Sequence, residues 1–232
     1  MAVPNASSVS VLLAGGTGLV GRQALLQLLG DSWVREVRVL VRREMSPEQL
    51  LGKDLAAIQP PQSLDKLRIC VTNFERLEAR TDWFAVDWVL CALGSTIARA
   101  GSQAAFRQVD FGYPLQIAQL AKAQGARCFM LVSALGANAR SRVFYSRVKG
   151  ELEEAVREID FEHLAIARPS LLAGERAEFR LGERLGLLLG PLMPDRYKPV
   201  QAQHVAAGLI ASAKSGAPGC RVIDNVALRC MR

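Results

Sequence analysis

One stretch near the start of the chain, residues 11–22, constrains the fold more than any other. It reads VLLAGGTGLVGR, so an apolar run ends in glycines at positions 15, 18 and 21, and an apolar helical pattern follows at 23–29. The first glycine permits a tight turn, the second lets the backbone approach a phosphate, and the third lets helix and strand pack closely. Backbone N–H groups and the positive end of the helix dipole then face the anion. The stretch predicts a site for a dinucleotide pyrophosphate; the alternative is a turn with a purely structural role.

The length and composition of the chain predict one domain over residues 1–232. Half of the residues are hydrophobic, which suffices for one substantial core. No apolar run reaches the ~18 to 20 residues that a membrane helix needs. Residues 1–5 carry no Lys or Arg and do not resemble a signal peptide. We therefore expect no membrane segment and no secretory leader.

The cysteines and the charge balance bear on location and partners. Five scattered cysteines without a Cys-x-x-Cys pair predict neither a disulfide framework nor a metal site, and reduced thiols favour a cytoplasmic location. The net charge is +7, but the arginines are spread out, with no basic run longer than two. This spread argues against nucleic-acid binding, whereas an anionic cofactor or substrate would suit the positive charge.

Strand and helix patterns alternate along the whole chain. Strand patterns occupy residues 8–14, 36–41, 67–71, 86–93, 127–133, 163–168 and 221–223. Helical patterns occupy residues 20–29, 47–57, 103–123, 143–158, 177–190 and 201–214. This alternation predicts a parallel sheet with helices on both faces, which binds ligands beyond the carboxyl ends of its strands. The Gly- and Pro-rich residues 170–200 are expected to form a small lid or pocket wall.

The end of the second strand indicates which dinucleotide the chain would prefer. An acidic residue at this place, about 20 residues after the glycines, accepts a hydrogen bond from the 2′-hydroxyl of NAD. Here Arg42 and Arg43 follow the strand, and no acid lies between the end of the strand and Glu44. Because guanidinium groups match a phosphate, the sequence favours NADP(H), with NAD(H) possible. Arg22 could add a phosphate contact; the other interpretation is that these arginines are merely solvated.

A second constellation comprises Ser133, Tyr145 and Lys149. Ser133 closes the fifth strand, and the other two are four residues apart, on one face of the next helix. Reduction of a carbonyl by hydride needs a proton donor at the developing alkoxide, which a tyrosine can be. A nearby ammonium favours the phenolate of that tyrosine, and a serine hydroxyl can orient the substrate oxygen. The trio predicts three catalytic residues; the alternative is an amphipathic stripe that continues through Leu152 and Val156.

Seven segments, in order over residues 8–215, carry a family resemblance. They are GGTGLVGR at 15–22, VRR at 41–43, CALGST at 91–96, FRQVD at 106–110, LVSALGA at 131–137, YSRVKGE at 145–151 and ARP at 167–169. Together they resemble an atypical short-chain dehydrogenase/reductase of the NAD(P)-binding branch, of the Tat-interacting-protein type of oxidoreductase. The resemblance implies an α/β, Rossmann-type doubly wound, mostly parallel sheet of six to seven strands with helices on both faces. It also implies NADP(H) bound in an extended pose.

The resemblance further implies which residues hold the cofactor. The glycine turn and the second strand would supply Gly15, Thr17, Gly18, Leu19, Val20, Gly21, Arg22, Arg42 and Arg43. The adenosine side would meet Asn73, Phe74, Cys91, Leu93 and Gly94, and the nicotinamide end would meet Tyr145, Lys149, Pro169 and Leu171. The chain departs from its relatives at Asp110, where an Asn often serves a proton relay. We also expect the chain to lack the large C-terminal substrate domain of the epimerases, so residues 94–103, 135–142 and 170–200 would form the pocket.

Three functions fit these patterns. The first is an NADP(H)-dependent oxidoreductase acting on a small carbonyl or alcohol. The second is a non-catalytic NADP(H)-binding regulator or redox sensor that contacts a protein partner. The third is an epimerase or dehydratase-like isomerase with a tightly held cofactor. A homodimer through the helices at 103–123 and 143–158 is a further possibility that the sequence leaves open.

Overall fold

The computed structural model describes residues 8–58, 61–173 and 194–231. The predicted helix at 177–190 and most of the predicted lid at 170–200 lie outside the described residues. The strands are β1 (Val9–Ala14), β2 (Val34–Val41), β3 (Leu67–Val71), β4 (Trp88–Cys91), β5 (Cys128–Val132), β6 (His163–Arg168), β7 (Leu172–Ala173), β8 (Val200–Gln201) and β9 (Gly219–Asp224). Seven of them form one parallel sheet in the order β3-β2-β1-β4-β5-β6-β9, and β7 pairs with β8 separately.

Helices cover both faces of this sheet. They are α1 (Leu19–Gly30), α2 (Pro47–Leu51), α3 (Ile97–Ala100), α4 (Gln103–Arg107), α5 (Tyr113–Ala123), α6 (Phe144–Glu158), α7 (Ala202–Ser215) and α8 (Asn225–Arg229). 3₁₀ segments span Gly52–Ala57, Pro61–Lys66, Phe74–Phe84 and Asp195–Tyr197, and the third is interrupted by non-helical backbone at Arg76 and Arg80. The prediction of an α/β, Rossmann-type doubly wound fold is confirmed.

Alternating side chains of the strands divide the core into two layers. In β1, Val11 and Leu13 belong to the cluster beneath α1 and α7, whereas Leu12 and Ala14 belong to the cluster beneath α5 and α6. All four side chains are fully buried. Because successive residues of a strand point to opposite faces, a strand buried on both faces is apolar at nearly every position. This explains why the central strands lack the apolar–polar alternation of a half-exposed sheet.

Several elements differ from the sequence prediction. The helix predicted at 103–123 is broken into α4, a π-helical segment over Gln108–Gly112, and α5. Pro114 explains the break, because it has no N–H to donate to the carbonyl of Asp110 four residues earlier. The last strand is twice its predicted length and pairs with β6 along all six residues. Helix α8 and the β7–β8 pair were not predicted, because both are too short to show a period.

Asp87 links the beginnings of β1 and β4 at the amino edge of the sheet. Its Oδ2 accepts hydrogen bonds from the backbone N (2.8 Å) and Oγ (2.9 Å) of Ser10 and lies 3.0 Å from Arg35 Nη2. Partial burial raises the pKa of this carboxyl, but the bonds from Ser10 and the charge of Arg35 outweigh burial and lower it. A carboxyl whose pKa is lower in the folded than in the unfolded protein stabilises the fold at pH values above the unfolded-state pKa. This contribution disappears as the pH falls through the folded-state pKa.

We therefore expect Asp87→Asn to lower the free energy of unfolding by about 1 kcal/mol near neutral pH, because the charge-assisted part of these bonds is lost. Below the pKa of the folded carboxyl, the two proteins should be equally stable. Urea denaturation of both proteins, at neutral pH and below the pKa of the folded carboxyl, measures the difference in the free energy of unfolding. A difference that does not change with pH would show that the charge of Asp87 is not what stabilises this edge.

Candidate functional site

The glycine turn between β1 and α1 is shaped to receive an anion. Gly15 has a φ of +88°, and its carbonyl accepts a hydrogen bond from the backbone N of Gly18 at 2.9 Å. A Cβ on Gly15 would lie 2.5 Å from the carbonyl O of Ala92, and one on Gly21 would lie 2.0 Å from the carbonyl O of Gly15. Gly18 precedes α1 without a side-chain cap, and the first turn of α1 contains no acid. The first N–H groups of α1 are therefore not capped by side chains and fit a phosphate.

A cavity of about 610 Å³ opens beside this turn. Helices α1 and α7 both begin at it, and its wall combines polar and basic side chains. The lining residues are Thr17, Gly18, Leu19, Arg22, Gln23, Lys53, Asp54, Ala173, Gln201, Ala202 and Gln203. The volume is that of a site for a small molecule or cofactor. The structure thus brings four of the predicted cofactor residues to one cavity and adds Gln201 and Gln203, which have no recognisable sequence signal.

The remaining predicted residues of this segment divide between the core and the cavity wall. Val20 and Gly21 are buried in α1, against the sheet. Arg22 is half-buried, and its Nη1 lies 3.9 Å from Asp54 Oδ2. This loose pair on the cavity wall keeps a guanidinium within the site, where the sequence predicted a phosphate contact.

Arg42 and Arg43 directly follow β2 and are exposed. Among the described residues, neither has an ion-pair or hydrogen-bond partner. Next to β2, Asn73 follows β3 and its Oδ1 accepts a hydrogen bond from the backbone N of Glu75 at 2.9 Å. Phe74 is buried with its ring centroid 5.4 Å from that of Tyr113, so it supports this part of the site from within the core. The unpaired arginines leave two guanidinium groups available for an anion at the end of β2.

The carboxyl end of β4 contributes main chain rather than side chains. Cys91 is fully buried, and burial raises the pKa of its thiol to about 11, so the thiol stays protonated and unreactive. Leu93 is half-buried and Gly94 is exposed. A Cβ on Gly94 would lie 3.5 Å from Asp110 Oδ1 and 3.8 Å from Lys149 Nζ. The backbone at Gly94 therefore lies directly over a buried ion pair.

That ion pair joins Lys149 of α6 to Asp110 of the π-helical segment. Lys149 Nζ is 2.8 Å from Asp110 Oδ1, and Asp110 Oδ2 accepts a hydrogen bond from the backbone N of Ser95 at 2.8 Å. Burial raises the pKa of Asp110. Burial alone would lower the pKa of Lys149, but Asp110 and then Tyr145 raise it above its ordinary value. Lys149 is therefore a buried but charged ammonium.

Tyr145 lies one helical turn before Lys149 and is 37% exposed. Its ring packs at 5.7 Å, centroid to centroid, on the ring of Phe106. The predicted pocket wall at 135–142 lies nearby, because the backbone N of Asn138 donates a hydrogen bond to the carbonyl O of Ser146 at 3.0 Å. The structure thus places an accessible phenol next to a buried ammonium, as the spacing of Tyr145 and Lys149 predicts.

Ser133 was predicted to orient a substrate oxygen, but in the structure its hydroxyl is bonded to another side chain. Its side chain is buried, and its Oγ donates a hydrogen bond to Glu153 Oε1 at 2.5 Å. Glu153, also buried, takes further bonds from Arg168 Nε at 2.9 Å and Arg157 Nη2 at 3.1 Å. The hydroxyl proton of Ser133 is thus committed to Glu153, and its role in orienting a substrate stays a prediction. The spacing of Glu153, four residues after Lys149 on one helix face, could have revealed this carboxylate.

The turn after β6 forms the remaining side of the site. The carbonyl O of Pro169 accepts a hydrogen bond from the backbone N of Leu135 at 2.7 Å, and that of Leu171 accepts one from Val200 at 2.9 Å. Leu171 is 44% exposed. Asn225 at the start of α8 also fixes this turn, because its Oδ1 accepts a hydrogen bond from the backbone N of Ser170 at 2.9 Å. These bonds hold the segment predicted to meet a nicotinamide.

Two further observations concern the described residues as a group. Residues 8–58, 61–173 and 194–231 contain no cluster of three His, Cys, Asp or Glu side chains that could hold a metal ion. Within the same ranges, every helix is too short or too polar to cross a membrane.

The strand order and the glycine turn together define an NAD(P)-binding protein with a Rossmann-type fold. The comparison with known families narrows this class. The sequence pattern described as the NAD dependent epimerase/dehydratase family matches residues 11–225, and the chain belongs to that family. The resemblance to an atypical short-chain dehydrogenase/reductase is confirmed.

Curated relatives and solved structures agree with this assignment. Protein HTATIP2 of Rattus norvegicus is 33% identical over 189 residues, which cover 81% of this chain and 73% of the rat protein. Protein FMP52, mitochondrial, of Candida albicans is 30% identical over 217 residues, or 91% of this chain and 90% of the yeast protein. The NAD complex of WbmG from Bordetella bronchiseptica has a TM-score of 0.68 at 15% identity and covers 96% of this chain and 74% of its own. At that identity, the solved structure shows the fold alone.

The comparison corrects the predicted location. Several fungal relatives are named as mitochondrial proteins, which overturns the prediction of a cytoplasmic location. The prediction was wrong because it depended on unpaired cysteines, and free thiols are compatible with more than one reducing compartment.

Proposed function

We propose that the chain is an NADP(H)-dependent oxidoreductase that transfers hydride to or from a small carbonyl or alcohol. The observation that carries the proposal is the accessible phenol of Tyr145 beside the buried, charged ammonium of Lys149. Both lie at the carboxyl edge of a parallel sheet, the edge at which the glycine turn lies. Family membership supports a nicotinamide cofactor.

The dinucleotide, when bound, supplies or accepts the hydride. The glycine turn and the N-terminus of α1 would hold its phosphates. The backbone at Gly94 would contact a more distant part of the dinucleotide. In the reductive direction, Tyr145 donates its hydroxyl proton to the carbonyl oxygen as the carbonyl carbon gains hydride, and the product is an alcohol. Lys149 stabilises the resulting phenolate and can donate hydrogen bonds to cofactor hydroxyls.

The preference for NADP(H) over NAD(H) is part of the proposal and depends on Arg42 and Arg43. Their exposed guanidinium groups follow β2, where an acidic residue would favour NAD. A 2′-phosphate would give these groups a bidentate partner. The family is described as NAD dependent and WbmG was solved with NAD, so direct measurement has to decide between the two cofactors.

Titration with NADPH and NADH tests cofactor binding and the role of Arg42. We expect NADPH to bind more tightly, and Arg42→Ala to weaken NADPH binding by about tenfold while leaving NADH binding unchanged, because a phosphate contact is lost. Calorimetry measures both affinities. Arg221→Ala, an exposed arginine of the edge strand β9, is the matched control and should change neither. Equal affinity for the two cofactors in the unmodified protein would contradict the preference.

A second function is favoured by the state of Ser133. Its hydroxyl proton goes to Glu153, so the trio predicted from the sequence is not assembled for a substrate. A cofactor-binding regulator would need the dinucleotide site without a complete catalytic trio. A panel of carbonyls, quinones and flavins distinguishes the oxidoreductase from the regulator. If none of these acceptors oxidises the bound NADPH, the regulator is favoured. An isomerase, the third candidate, would convert its substrate with no net consumption of cofactor.

A further inference from the structure

Asp110 occupies an unusual place in the fold. It lies in the π-helical segment Gln108–Gly112, between α4 and α5, and its side chain is completely buried. A π-turn adds one residue to a helical turn, which changes the direction in which the following side chains point. A buried carboxylate is costly to the fold unless a positive charge and hydrogen bonds satisfy it. Its presence therefore calls for an explanation from its contacts.

The carboxylate of Asp110 connects three separate elements. Through Oδ1 it contacts Lys149 of α6 at 2.8 Å, and through Oδ2 it accepts the backbone N–H of Ser95, after β4, at 2.8 Å. Gly94 completes the arrangement, because the pair lies within 3.8 Å of where its Cβ would be. One side chain thus fixes the lysine relative to the loop that would line the cofactor.

The other ionisable groups around Lys149 do not supply the negative counter-charge that Asp110 supplies. Tyr145 approaches from the same helix, and the protonated thiol of Cys91 faces the pair from β4. Glu153, one turn further along α6, is occupied by Ser133, Arg157 and Arg168. Within the described part of the chain, Asp110 is the carboxylate in an ion pair with Lys149.

We propose that Asp110 is a positioning residue that keeps Lys149 charged and directs its Nζ toward the cofactor side of the sheet. The inference rests on the proposed function, because it assigns Lys149 to the cofactor and to Tyr145. An ammonium has three N–H donors, so the ion pair with Asp110 at 2.8 Å leaves donors for these partners. Asp110 thus differs in role from a relay Asn: it supplies charge and direction to the lysine.

Lysine NMR on the protein and its Asp110→Asn variant tests the proposal directly. The chain has six lysines, so ¹³Cε-labelled lysine gives few signals, and Lys149→Met identifies the one of interest. In the unmodified protein, Lys149 should lose its proton at higher pH than an ordinary lysine. In Asp110→Asn, burial without a counter-charge should move this titration to lower pH. Asp87→Asn, which removes a hydrogen-bonded carboxylate at the opposite edge of the sheet, should leave it unchanged.

NADPH affinity as a function of pH is the second readout. Between neutral pH and about pH 9, we expect Asp110→Asn to lose affinity about tenfold, while the unmodified protein and Asp87→Asn change by less than about twofold. Because the NMR titration needs no cofactor, it tests Asp110 even where NADPH does not bind; absent binding would count against the proposed function alone. An unchanged Lys149 titration in folded Asp110→Asn would overturn the inference. If the variant does not fold, a Lys149 that titrates below an ordinary lysine in the unmodified protein would overturn it.

Discussion

Tyr145→Phe is expected to reduce hydride transfer by about 10²- to 10⁴-fold, the usual contribution of a general acid, with little change in NADPH affinity. The phenylalanine ring retains the packing on Phe106, whose centroid lies 5.7 Å away, so the helix and the pocket wall should stay in place. In the proposed mechanism, the hydroxyl delivers the proton to the alkoxide. Its loss therefore affects the reaction step and leaves binding unaffected.

Stopped-flow measurement of NADPH oxidation, with a substrate found by the acceptor panel, reports the chemical step, and calorimetry reports binding. Tyr113→Phe is the matched control, because its ring packs on Phe74 and it lies on α5 rather than α6. This control should retain the full rate. If Tyr145→Phe retained it as well, the proton would have to come from another group, and the assignment of Tyr145 as general acid would be wrong.

The sequence predicted the fold well because β4 and β5 are apolar at every position, β1 is apolar except at Ser10, and helical patterns separate the strands. Leu12, Val89 and Phe129 mark this pattern in three neighbouring strands, and all are fully buried. The break in the helix at 103–123 was missed, although Pro114 is its cause. Proline in the middle of a helical pattern signals a kink, so the position of the break could have been predicted from Pro114, but the pattern gives no sign that the preceding turn becomes π-helical.

The site was predicted only in part, because periodicity places a residue on a face but does not choose its partner. The Tyr145–Lys149 spacing correctly placed both residues on one side of α6. The same reasoning could not show that Ser133 donates to Glu153, nor that Asp110 meets Lys149 at 2.8 Å. Both contacts join segments that are far apart in the chain. Which partner each side chain takes depends on the buried charges that must be satisfied in the folded protein, and periodicity does not report these.

Gly21→Ala tests the basis of the whole dinucleotide site. Its Cβ would lie 2.0 Å from the carbonyl O and 2.6 Å from the carbonyl C of Gly15, and backbone atoms cannot give way as a flexible side chain can. We expect the free energy of unfolding to fall by about 3 kcal/mol, at the upper end of overpacking effects. Where the protein remains folded, NADPH binding should be lost, because the displaced turn no longer presents its N–H groups to the phosphates.

Gly30→Ala is the matched control in the same helix. Apart from its chain neighbours and the backbone of its own helix, no atom of the described residues lies within 4 Å of its added Cβ, so this variant should be as stable as the unmodified protein or more stable by up to about 1 kcal/mol. Urea denaturation and NADPH calorimetry on the pair separate a general effect of alanine in α1 from contact with Gly15. Loss of binding in Gly21→Ala alone would tie the affinity to the close packing of the turn. Full binding in Gly21→Ala would mean that the close packing of the turn is not needed to hold the phosphates, and the assignment of the glycine turn as the phosphate site would be wrong.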